Sequence, residues 1–115
     1  MAGERPLRIL IVEDEDGIRL TLRDFLKIRG YDVLVASDGV GAIKQLLDYD
    51  VDVILSDYRM DVLGGDYWIR FLEKYCADKR IFITSGFIKP EFSIPFTVLS
   101  KPFDYSEVVK LIESD

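Results

Sequence analysis

The chain has 115 residues, 15 Lys and Arg against 21 Asp and Glu, a formal net charge of −6 and an apolar fraction of 49%. That length suits one compact domain over residues 1–115 with one real core, and the acidic balance argues against nucleic acid or an anionic membrane face as a partner. With no His and a lone Cys76 there is no His/Cys zinc shell, no Ser-His or Cys-His pair and no internal disulfide, so any metal must be a hard cation held by oxygen.

Apolar runs such as Ile9–Val12 last only a few residues, far short of the ~20 that a membrane-spanning helix needs. The opening Met-Ala-Gly-Glu-Arg-Pro lacks the basic-then-apolar layout of a secretory signal, and a reducing, cytoplasmic setting is expected. Arg8–Val12 reads as a buried strand. A helix follows from about Asp16 to Arg29, with Ile18, Leu22, Phe25 and Leu26 on one stripe, Leu20 off it, Asp16 as N-cap and Gly30 as the stop.

Tyr31–Ala36 is a second strand, and Ser37 is positioned to cap a helix whose inward face is Ile43, Leu46 and Leu47. Val51–Ser56 is a third strand ending at Asp57, and polar Asp57–Gly65 is a loop. Trp68, Phe71, Leu72 and Tyr75 recur at helical spacing, and Trp68, Phe71 and Tyr75 read as core side chains. Arg80–Thr84 and Thr97–Ser100 are two more strands, and Val108, Val109, Leu111 and Ile112 belong to a last helix. Apolar strands alternating with helices predict an α/β fold, a doubly wound five-stranded parallel sheet with helices on both faces. Between the last two strands Gly86, Pro90 and Pro95 leave only Glu91–Ile94 unbroken, room for about one turn. The fourth helix is therefore expected to be short or missing.

Ligands of an open α/β sheet bind beyond the carboxyl ends of its strands. Those ends carry Glu13-Asp14-Glu15-Asp16, then Asp57, then Thr84-Ser85-Gly86, then Lys101-Pro102. Carboxylates about 5 Å apart repel by about 3 kcal/mol per pair at an effective dielectric of 20, which a bound cation relieves. A few carboxylates with a backbone carbonyl and water make a magnesium-type shell, and a lysine with a hydroxyl beside it suits a phosphoryl group. Taken singly, each residue has a plainer reading: solvated loop acids, a turn aspartate, strand-end hydroxyls, a surface lysine.

At these residues the sequence resembles a response-regulator receiver (CheY-like) domain of two-component signalling, over essentially the whole chain. The motifs are Ile-Leu-Ile-Val-Glu13-Asp14-Glu, Ile-Leu-Ser-Asp57-Tyr-Arg-Met60 with Gly65 eight residues past the aspartate, Ile-Thr84-Ser85-Gly86 and Lys101-Pro102-Phe103. The resemblance implies the flavodoxin-like strand order 2-1-3-4-5. It implies that Asp57 is the phosphoacceptor, served by a histidine kinase or phosphotransfer protein. Glu13, Asp14, Asp57 and the Arg59 carbonyl would bind Mg²⁺ (or Mn²⁺), Asp14 directly and Glu13 through water. Lys101 would pair with the acyl phosphate, and the Lys101–Pro102 bond would be cis. Ser85 fits the switch hydroxyl, with Thr84 the competing assignment.

Such a domain promotes only its own phosphorylation and hydrolysis, and pairs with itself or a downstream effector. Three departures stand out: Asp61 where the family has proline, Val98 where it has Tyr or Phe, and the curtailed crossover, a truncation shared with an atypical subgroup whose fourth strand Phe82–Phe87 partly matches. They imply intact chemistry with an unconventional readout, and Arg59 and Phe87 beside the phosphoryl group imply slow hydrolysis. A haloacid-dehalogenase-like phosphatase also uses an aspartyl nucleophile but wants a carboxylate where Arg59 stands. A flavodoxin-like cofactor binder wants a phosphate loop where Glu13–Asp16 would repel phosphate. An inert pseudo-receiver differs only in failing to accept a phosphoryl group.

Overall fold

The sheet grows from strands whose residues are apolar on both sides. In the computed structural model, which describes residues 5–60, 62–86 and 94–114, the chain runs β1 (Arg8–Val12), α1 (Asp16–Ile28), β2 (Asp32–Ala36), α2 (Gly39–Asp48), β3 (Val53–Asp57), α3 (Gly65–Tyr75), β4 (Arg80–Ser85), β5 (Thr97–Ser100) and α4 (Tyr105–Glu113). All pairings are parallel and the order is β2-β1-β3-β4-β5, as expected. Strands are added outward from β1 on one side and from β3 on the other, so the crevice beyond the carboxyl ends of these two lies at the topological switch point.

Alternation along each strand divides the core in two. Ile9, Ile11, Val53, Leu55 and Phe82 pack with Leu22 and Leu26 of α1 and Val108, Val109 and Ile112 of α4. Leu10, Val12, Ile54, Ile81 and Ile83 pack with Ala42 of α2 and Trp68, Ile69 and Leu72 of α3. Trp68 lies wholly inside, and its indole N–H donates to Ser56 Oγ at 2.8 Å, so this large ring is buried with its polar atom satisfied.

Several local expectations need correction. Glu15, not Asp16, is the N-cap of α1; Asp16 is the first helical residue and its carboxylate pairs with Arg19 at 2.6 Å. Asp38, not Ser37, caps α2, accepting from the Gly41 N–H at 2.8 Å. With the helix starting there, Gly39, Ala42 and Leu46 share the inward arc, and Leu47 swings out to 80% exposure. On α3 the buried arc runs through Trp68, Ile69 and Leu72, which leaves Tyr75 63% exposed rather than in the core. Leu20 is 38% exposed, off the α1 stripe as expected. The expectations on Asp61, on Phe87 and on most of the Glu91–Ile94 crossover fall outside the described residues. The four helices named above are those among the described residues, α4 being the C-terminal one.

Candidate phosphoryl and metal site

Four strand ends meet at the switch-point edge. β1 delivers Glu13, which is buried, with Asp14 exposed beside it. The Glu13 N–H donates to the Ala36 carbonyl at 3.0 Å, and Arg19 braces the Glu13 carbonyl from α1 at 2.9 Å. β3 delivers Asp57, also buried. Carboxylate oxygens of Glu13, Asp14 and Asp57 all lie within 4.8 Å of one another. Beyond β5, the Lys101 N–H donates to the Ser85 carbonyl at 2.8 Å, which aims the side chain back over the sheet. Its Nζ reaches Glu13 Oε1 at 2.7 Å and Asp57 Oδ2 at 3.2 Å. The Lys101–Pro102 bond is cis.

Burial alone would lower the Lys101 ammonium, but the hydrogen bond to Glu13 and the charges of Asp57 and Glu13 outweigh it and hold the group above its ordinary value. The lysine is therefore charged and shared between two acids. The other Glu13 oxygen accepts from the Glu15 N–H at 3.2 Å, so this carboxylate is fixed at both ends.

Strand register separates the two hydroxyls. Thr84 is the partner of Asp57, and Tyr58 N–H donates to the Thr84 carbonyl at 2.9 Å. Alternation sets Thr84 on the side of Phe82 and Leu55, and it lines a small cavity with Glu13 and Phe103. Ser85 falls on the opposite alternation with Ile83 and serves Lys101 through its backbone. Both are buried.

The loop that carries Arg59 is tightly held. Gly65 N–H donates to the Tyr58 carbonyl at 2.7 Å, and Gly39 N–H at the start of α2 donates to Val62 at 3.2 Å. Leu63 adopts a left-handed φ of 48° and its carbonyl lies directly against Gly39, where a Cβ would collide with it. At Gly64 a Cβ would stand 2.6 Å from the Met60 backbone nitrogen. Sequence reasoning missed these two glycines as determinants of the site, although the Asp38-Gly39 and Gly64-Gly65 pairs flank the loop ends.

Three carboxylates and one ammonium shared by two of them thus meet on the edge of a 2-1-3-4-5 sheet. The family model for the response regulator receiver domain matches residues 9–113, and the chain belongs to that family. Among its relatives, the transcriptional regulatory protein YxdJ of Bacillus subtilis is 32% identical over 93% of this chain, which spans 49% of YxdJ's length. The response regulator receiver protein CpdR of Brucella abortus is 30% identical over 92% of this chain and 93% of its own. A response regulator receiver protein from Pseudomonas putida superposes with a TM-score of 0.87 at 25% identity, covering 99% of this chain and all of that one.

Proposed function

We propose that residues 1–115 form one receiver domain that accepts a phosphoryl group on Asp57 and changes conformation on doing so. The observation that carries this reading is a buried aspartate 3.2 Å from a lysine and within 4.8 Å of two further carboxylates. An Asp57 Oδ attacks phosphorus of a phosphohistidine on a histidine kinase or phosphotransfer protein. The P–N bond breaks and its electron pair returns to the imidazole, so the chain gains an acyl phosphate. Lys101, held by Glu13, donates to a phosphoryl oxygen and offsets developing charge.

Glu13, Asp14, Asp57 and the Arg59 carbonyl would hold Mg²⁺ or Mn²⁺, because the donor set is all oxygen and the 4.8 Å spread suits a small hard cation with several waters. Such an ion supplies positive charge against the phosphoryl oxygens. A hydroxyl at the end of β4, from Ser85 with Thr84 as the competing assignment, would donate to the phosphoryl group once the new charge arrives, both residues being buried beside Asp57. The domain then acts as a switch in the cytoplasm, promoting only its own phosphorylation and dephosphorylation, with a second copy or an effector reading the change. No described helix is long and apolar enough to cross a membrane.

The test is incubation with acetyl phosphate and Mg²⁺, read by intact mass. Wild type gains one phosphoryl mass and Asp57→Asn gains none; a wild type without the adduct overturns the proposal.

A further inference from the structure

Between α2 and α3 lies a trough that the switch site does not use. It consists of two open depressions of about 610 and 460 Å³ that share Phe71 and Tyr75. Leu63, from the loop after Asp57, lines one end, and Ile43 and Leu46 of α2 line the other. Around it the exposed apolar groups are large: Leu47 is 80% exposed, Tyr67 73% and Tyr75 63%. Such contiguous apolar surface marks an interaction site.

The charges on this face run against the rest of the chain. The protein is acidic overall, at −6. Yet Arg70 lies over the Tyr67 ring at 5.6 Å and Lys74 over the Tyr75 ring at 5.5 Å, and neither forms an ion pair with a described residue. Glu73 is the one acid lining the first depression; at the far end Asp78 and Lys79 pair with each other at 3.5 Å. Tyrosine and arginine are the residues enriched at interface anchors.

We infer that the α2–α3 trough docks a partner protein through an amphipathic helix whose apolar stripe is flanked by Asp and Glu. An α3 of 11 residues is about 16 Å long, which matches three turns of a helix laid alongside. Carboxylates on its flanks would meet Arg70 and Lys74. A second copy fits less well, since a two-fold contact on this face would set Arg70 and Lys74 against the same cations. Two cations on a chain of net −6 are also too few to hold a membrane or nucleic acid. Docking here needs no phosphorylation. Leu63 would let the Asp57 loop modulate it, and that link alone rests on the proposed function.

The probe is a synthetic amphipathic helix of about 18 residues with a Leu stripe and Glu flanks, beside a twin with Lys flanks. Each is titrated into the unphosphorylated ¹⁵N-labelled chain. The Glu peptide should shift the amide signals of Tyr67–Tyr75 and Ile43–Leu47 saturably, and the Lys twin should bind about tenfold more weakly. The exposed double variant Arg70→Glu, Lys74→Glu should invert that order with an unchanged circular dichroism spectrum, and Arg70→Gln, Lys74→Gln should abolish it. Equal binding of both peptides, shifts confined to other elements, or shifts of α3 that grow with protein concentration alone would each overturn the inference.

Discussion

Asp52 shows how one carboxylate can tie two strands. Its Oδ2 accepts from the Arg8 N–H at 2.8 Å and from Arg5 Nη1 at 2.8 Å, while its own N–H donates to the Arg8 carbonyl at 2.9 Å. Burial alone would raise its pKa, but the Arg8 hydrogen bond and the hydrogen bond and charge of Arg5 outweigh it and hold the carboxyl below its ordinary value. A depressed folded value means stability that is fully present above the unfolded value near 3.8 and lost as pH falls through the folded one. Asp52→Asn should therefore cost about 1 kcal/mol or less at pH 7, since a third of the side chain is exposed and solvent screens it. In urea titrations the gap between variant and wild type should close below about pH 4. A gap that persists unchanged at pH 2.5 would show that the carboxylate charge is not what holds these strands. The same scale explains Cys76, where burial pushes the thiol up and leaves a small apolar filler.

At the level of elements, the same substitution should act with opposite sign at two helical glycines. Gly17 in α1 has open space where a Cβ would go, so Gly17→Ala should stabilise by about 0.5–1 kcal/mol through helix propensity. Gly39 opens α2 under the Leu63 carbonyl, with Leu63 Cβ 3.0 Å from a built Cβ. The propensity gain is overrun there, and Gly39→Ala should destabilise by about 1–3 kcal/mol and slow phosphorylation by displacing the loop that bears Arg59. Urea midpoints and acetyl-phosphate rates check both; equal effects at the two sites would mean that the close Leu63–Gly39 contact does not hold the loop. Elements of this kind were partly legible in sequence. β1 and β5 read to the residue because a proline stands just upstream of each short run and a charged residue, Glu13 or Lys101, ends it. Caps slipped by one residue, since Ser37 and Asp38 are both good caps and tertiary contacts select between them. Leu47 and Tyr75 were misassigned because hydrophobicity alone does not tell a core stripe from a docking face.

Over the whole molecule, the topology gathers acids that are far apart in the chain. Glu13, Asp14 and Asp57 were legible as a group because strand ends of a doubly wound sheet converge. The bond from Lys101 to Glu13 was not, since β1 and β5 are separated by two strands and the contact depends on the reach of the lysine side chain. That contact also limits how much repulsion a cation can relieve. The ammonium already offsets one of three negative charges, so the cluster carries a residual charge of about −2, which a divalent ion would cancel. An ion that binds the folded chain alone at ten times its Kd adds about 1.4 kcal/mol, which for a domain of this size raises Tm by about 5 °C. Mg²⁺ should produce that rise over NaCl at matched ionic strength, and Asp14→Asn should abolish most of it. The exposed Asp14 makes no part of either core, so its variant should still fold, with an unchanged circular dichroism spectrum in NaCl. An identical Tm in both salts for wild type would mean that the edge binds no Mg²⁺, and the cation would have no place in its chemistry.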